Sequence, residues 1–138
     1  MPETAIKADM SNKTPLLLVD DDPLITESLG FMLSRQYQVV TADTRNAVRR
    51  LLSSLEHCPD IALVDLGLPP FPHKPDEGFA LIRELITINP NMKILVLSGQ
   101  DNDVNIQHAL TLGAVDFVAK PADPDLLLSR LQHQQRLY

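Results

Sequence analysis

The sequence predicts an α/β domain built on an open, five-stranded parallel sheet with helices on both faces. Three observations carry that expectation. Five short β-rich runs recur along the chain. Three of them are continuously apolar, as in strands covered on both sides. Between the runs lie helix-length segments whose starts carry capping signals. Strands and helices alternating in this way fold through right-handed crossovers into a parallel sheet.

The strands are expected at Leu16 to Val19, Gln38 to Ala42, Ile61 to Val64, Ile94 to Leu97 and, more weakly, Asp116 to Ala119. Asp22-Pro23 offers an N-cap followed by proline at the first helical position, ahead of Leu24, Ile25, Leu29 and Leu33. Thr44 caps a second helix with the apolar face Ala47, Val48, Leu51, Leu52 and Leu55. After Asp76, the residues Phe79, Leu81, Ile82, Leu85 and Ile86 have helical spacing, and Pro90 lies beyond their end. Asp101 or Asn102 opens a fourth helix bearing Val104, Ile106, Ala109 and Leu110, and Gly113 ends it. Ile106, Ala109 and Leu110 read as core, with a flank that can serve as a dimer face. Asp123-Pro124 repeats the cap-plus-proline signal before Leu126, Leu127, Leu128 and Leu131. The one irregular stretch, Leu66 to Asp76, holds prolines 69, 70, 72 and 75 and reads as a long, stiffened loop.

At 138 residues the chain has a one-domain length, divided as a disordered leader at 1–14 and a folded domain at 15–136. A net charge of −6 gives no footprint for binding a phosphate backbone, so no direct nucleic-acid contact is expected of this segment. Cys58 is the only cysteine, which rules out an intrachain disulfide and a cysteine-based zinc site. The apolar runs are too short to span a bilayer, and MPETAIKADMSNKTP lacks the apolar centre of a signal peptide. A cytoplasmic domain without membrane contact is the expectation.

In open α/β sheets, ligands bind outside the carboxyl ends of the strands. Those ends carry Asp20-Asp21-Asp22, Asp65, Ser98 and Lys120-Pro121. Any one of these residues alone would mean little, and Asp22 reads as a helix cap. Together they gather carboxylates that repel one another unless a cation lies between them. An oxygen-lined, partly hydrated site of this kind suits Mg²⁺.

The segments LLLVDDDP, ALVDLGLP around Asp65, VLSG with Ser98 and FVAKP with Lys120, in that order, resemble the receiver domains of two-component response regulators. The resemblance runs from Pro15 to about Gln135 and implies a flavodoxin-like (βα)5 receiver fold. It implies that Asp65 accepts a phosphoryl group from a sensor histidine kinase or phosphotransfer protein. It also implies Mg²⁺ held directly by Asp21 and Asp65, mostly through water by Asp20, and by the Gly67 carbonyl. Ser98 and Lys120 would each contact a phosphoryl oxygen. Phe117 would be the switch aromatic, biasing a fourth-helix/fifth-strand/fifth-helix face that could also form a homodimer. The domain is then no enzyme beyond its own phosphorylation and dephosphorylation.

Receivers commonly place a glycine about eight residues after the acceptor, whereas Gly78 lies 13 after Asp65, so Phe71 to Pro75 reads as an insertion. DLGLPPFPHKPDEG and KPADPD are similar to the receivers of sigma-54-dependent transcriptional activators, which implies a transcriptional output. Gly67, lacking a side chain to shield the phosphoryl group, and Gln100, able to hold a water, predict fast hydrolysis. His57, His73, His108 and His133 lack metal-ligand spacing, and Cys58 reads as a packed small residue. An Asp-nucleophile phosphohydrolase would need a second acid at position 67, where glycine stands. A pseudo-receiver that only binds partners would normally have lost part of the acidic set or the lysine.

Overall fold

The structure, a computed structural model, describes residues 13–99, 103–120 and 123–136. Five strands, β1 (Thr14–Val19), β2 (Tyr37–Ala42), β3 (Ile61–Asp65), β4 (Lys93–Ser98) and β5 (Asp116–Ala119), alternate with five helices. The helices are α1 (Pro23–Leu33), α2 (Arg45–Ser54), α3 (Asp76–Ile88), α4 (Asp103–Leu112) and α5 (Pro124–Arg136). The strands pair in parallel in the order β2-β1-β3-β4-β5, so the expected fold class holds. Residues 1–12 of the expected leader lie outside the described residues; Thr14 already belongs to β1, and Lys13 Nζ donates to the Ser34 carbonyl. Of the features read from the sequence, Gln100, Asp101, Asn102 and Pro121 also lie outside the described residues.

The pleat explains why the central strands are apolar throughout. Leu17, Val19, Ala62, Val64, Ile94 and Val96 point to one face and pack with α2, α3 and the buried Ala109 of α4. Leu16, Leu18, Ile61, Leu63, Leu95, Leu97 and Val118 point to the other and pack with α1 and α5. With both faces covered, no position in these strands is left for a polar residue until the strand ends.

The caps form as the sequence indicates. Asp22 accepts from the Leu24 amide at 3.0 Å and Thr44 from the Ala47 amide at 3.0 Å. Asp123 accepts from the Asp125 amide at 3.0 Å. At the end of α4, Gly113 takes φ +124°, a conformation that favours glycine. Leu24, Val104 and Leu126, assigned to apolar faces by spacing, are instead exposed by 76%, 74% and 45%. Each stands in the first turn of its helix. Of the stripe read as core on α4, only Ala109 is buried, while Leu110 is exposed.

Candidate functional site

The registers bring the polar strand ends to one level. Val19 pairs with Val64, so Asp20 and Asp65 emerge side by side at the β1/β3 junction, where the strand order reverses direction. Asp65 pairs with Leu97 and Ser98 with Ala119, which sets Ser98 and Lys120 along the same edge. The Lys120 amide donates to the Ser98 carbonyl at 2.9 Å, fixing the lysine as its strand ends.

Two contacts orient the Asp65 carboxylate. Its Oδ1 accepts from the Gly67 amide at 3.2 Å, and its Oδ2 faces Lys120 Nζ at 3.1 Å. Asp20 is buried beneath it; its Oδ1 accepts from the Asp22 amide at 2.9 Å. Its Oδ2 lies 2.7 Å from Lys120 Nζ but off the direction of a hydrogen bond, so this buried oxygen keeps unused acceptor capacity. Asp20, Asp21 and Asp65 each present an oxygen, all within 4.8 Å of one another. Three carboxylates, two of them sharing one lysine, are compatible with a hard cation held by oxygen donors. The cluster opens into a cavity of about 370 Å³ whose walls also include Ser98, Asn105, Pro72, His73 and Lys74.

The electrostatics follow from this crowding. Burial, and next the charge of Asp20, push Asp65 up from 3.8 to about 6 against the opposing pull of Lys120 and the Gly67 amide. Burial disfavours the Lys120 ammonium, but Asp20 and Asp65 outweigh it and hold the lysine above its usual value. A raised carboxylate is a stability cost: the folded state retains a proton that the unfolded state has lost, so stability falls as pH rises from about 4 to about 6. Asp65→Asn, neutral throughout, is therefore expected to be more stable than the native protein at pH 7 without divalent cations. The gain should be about 1–2 kcal/mol after allowance for the open side of the site. Urea unfolding across pH checks it: the gap should vanish below pH 4 and open through pH 6.

The stretch between β3 and α3 is the long loop that its prolines predict. Leu66 and Leu68 are buried in the core and anchor it. Gly67 is no open slot: a Cβ there would lie 2.2 Å from the Pro72 carbonyl oxygen. The Pro72 backbone fills the space beside Gly67, so the glycine gives no reason to expect fast hydrolysis. His73, set aside on spacing, lines the cavity. Among the other residues set aside, His108 is exposed with its ring edge-on to Phe79 at 4.5 Å. Cys58 packs against the core, and burial pushes its thiol up, away from reactivity. Phe117 is half-buried on β5, one strand over from Ser98.

Comparison with known proteins agrees with this geometry. Residues 16–132 match the response regulator receiver domain. The transcriptional regulatory protein KdpE of Mycobacterium tuberculosis is 36% identical over 120 residues, covering 86% of this chain and 50% of that protein. The virulence transcriptional regulatory protein PhoP of Salmonella typhimurium is 32% identical over 122 residues, covering 88% of this chain and 51% of that one. The chain thus spans about half the length of these relatives. The non-phosphorylated HemR receiver domain of Leptospira biflexa superimposes with a TM-score of 0.79 at 28% identity, over 91% of this chain and 97% of that one. Strand order, the acidic strand ends and the family match together establish that this chain belongs to the receiver domains of two-component response regulators.

Proposed function

We propose that Asp65 is the phosphoacceptor of a two-component switch. The observation that carries this reading is the pairing of a buried carboxylate, held at both oxygens by Lys120 and the Gly67 amide, with an open cavity above it. A fixed carboxylate is a competent nucleophile toward phosphorus and forms an acyl phosphate. Lys120 neutralises oxygen charge on the incoming group, and Ser98, at the end of β4, offers its hydroxyl to another phosphoryl oxygen. Asp20, Asp21, Asp65 and the Gly67 carbonyl would hold Mg²⁺, which fits three carboxylate oxygens gathered within 4.8 Å and an Asp20 oxygen that makes no hydrogen bond. When bound, Mg²⁺ supplies charge neutralisation for the transferring phosphoryl group.

The donor is a sensor histidine kinase or phosphotransfer protein, and the domain, residues 15–136, acts in the cytoplasm as a switch rather than as an enzyme on an external substrate. Phe117 relays the state of Ser98 to the α4/β5/α5 face, whose exposed Val104, Leu110 and Val115 suit a homodimer. The output is transcription, as the names of KdpE and PhoP indicate for those proteins. The likeness of the proline-rich loop to sigma-54 activators concerns that output's type. The net charge of −6 supports leaving DNA contact to another segment.

The test is phosphorylation followed by intact mass, since the chain has no tryptophan to report it. With Mg²⁺ and a small acyl phosphate, one phosphoryl adduct is expected, lost with EDTA and absent in Asp65→Asn. An adduct that persists in that variant would overturn the assignment. No adduct with any donor would favour a partner-binding pseudo-receiver.

A further inference from the structure

The loop after Asp65 forms a wall of the acceptor cavity and brings a second positive charge, Lys74, to it beside Lys120. Leu68 is fully buried. From it two successive turns, Phe71 amide to Leu68 carbonyl at 3.1 Å and Lys74 amide to Phe71 carbonyl at 2.9 Å, bring His73 and Lys74 round to the mouth. The Pro72 carbonyl seats against Gly67 with no room for a Cβ, which fixes the spacing between wall and acceptor. Three carboxylates, Asp21, Asp22 and Asp65, line the same cavity. Lys120 also lines it and is paired with Asp20 and Asp65. The Lys74 ammonium has no carboxylate partner among the described residues; it rests 5.8 Å from the centre of the exposed Phe71 ring. A contact of that kind at an exposed site is weak, so the lysine is free to move.

We propose that His73 and Lys74, which line the cavity of Asp65, form a subsite for the anionic phosphodonor. This rests on the reading of Asp65 as the acceptor. Three carboxylates line this cavity, and a single Mg²⁺ offsets only part of their charge, so the remainder repels an incoming acyl phosphate. Lys74 offsets that repulsion and, with the His73 ring, holds the phosphoryl oxygens while Asp65 attacks. A new bond forms between a carboxylate oxygen of Asp65 and phosphorus. The donor's P–O bond breaks, and its electron pair leaves with the released carboxylate. The two residues are donor-binding residues and make no bond themselves.

Adduct formation is followed by intact mass at saturating Mg²⁺ over a range of small acyl phosphate concentrations, for native, Lys74→Ala, His73→Ala, doubly substituted and Lys74→Arg proteins. Lys74→Ala is expected to raise the half-saturating donor concentration and to slow the reaction at low donor about fivefold to tenfold. The plateau rate should change little, Lys74→Arg should restore the native curve, and added salt should narrow the difference. In Asp65→Asn, where no transfer follows, methylphosphonate is expected to shift the His73 ring resonances. An adduct on the native protein with an unchanged donor curve in the double variant would overturn the subsite while leaving the acceptor in place. No adduct on the native protein would overturn both readings. Absence of any shift at His73 would overturn its contact with the donor.

Discussion

Lys120→Ala is expected to destabilise the fold by about 3–5 kcal/mol at neutral pH without divalent cations, because it leaves two buried carboxylates with no counter-charge. Lys120 Nζ stands 2.7 Å from Asp20 and 3.1 Å from Asp65, and its side chain is only 17% exposed. A lysine held above its usual value contributes stability that is complete below the unfolded value and is lost only as pH rises through the folded one. The native interaction is therefore fully in place at pH 7, and the whole loss is measurable there. The acid side behaves differently. With Lys120 gone, one of the influences holding Asp65 down is removed, so Asp65 takes its proton at a pH above the native value of about 6. Protonation relieves the unpaired charge, and the deficit of the variant should shrink as pH falls through that region. Millimolar Mg²⁺ should recover part of the loss at pH 7 by binding the same oxygens. Urea midpoints at pH 5 and 7, with and without Mg²⁺, check each statement. A deficit that does not vary with pH would show that lost packing of the lysine stem outweighs its charge.

The sheet was legible because its signals are local and redundant. An uninterrupted apolar run such as Leu16 to Val19 has no place except between two layers, and the caps at Asp22 and Thr44 act within three residues of their donors. The acidic and basic strand ends were legible for a related reason: in a parallel sheet every carboxyl end lies on one edge, so Asp20, Asp65, Ser98 and Lys120 must converge. Helix faces were less legible. Spacing alone marks Val104 and Leu126 as apolar-face residues, but both stand in the first turn of their helices and are exposed, and spacing does not tell how far along a helix the packing extends. The long loop was least legible. Four prolines announce stiffness but not direction, so nothing in the sequence placed His73 and Lys74 beside the acceptor. Gly67 shows the same limit. A glycine reads as open space in sequence, and here the carbonyl of a residue five positions on fills it.

Gly78→Ala is expected to damage fold and site together, although the substitution adds a single methyl group inside a helix. Alanine normally gains about 0.5–1 kcal/mol over glycine in a helix interior. At Gly78 that preference is overridden. A Cβ would lie 2.4 Å from Leu66 Cα, 2.6 Å from Leu66 O and 2.9 Å from Leu66 C, all backbone atoms with no rotamer to give way. The Gly78 amide also donates to the Leu66 carbonyl at 3.2 Å, so α3 and the end of β3 are held in contact here. Relieving the overlap means moving one element off the other, at a cost of about 3 kcal/mol, the upper part of the usual range for overpacking. Leu66 directly follows Asp65, so its displacement shifts the carboxylate relative to Lys120 and the Gly67 amide. Phosphorylation should therefore slow even at temperatures where the variant stays folded. Gly30→Ala supplies the contrast: nothing lies within 4 Å of a Cβ at that position of α1, so it should gain the ordinary helical increment. Thermal unfolding of the two variants, with adduct formation measured well below both transitions, separates loss of fold from displacement of Asp65. If Gly78→Ala phosphorylates at the native rate, the α3–β3 contact sets stability alone, and the acceptor is positioned by Lys120 and the Gly67 amide without it.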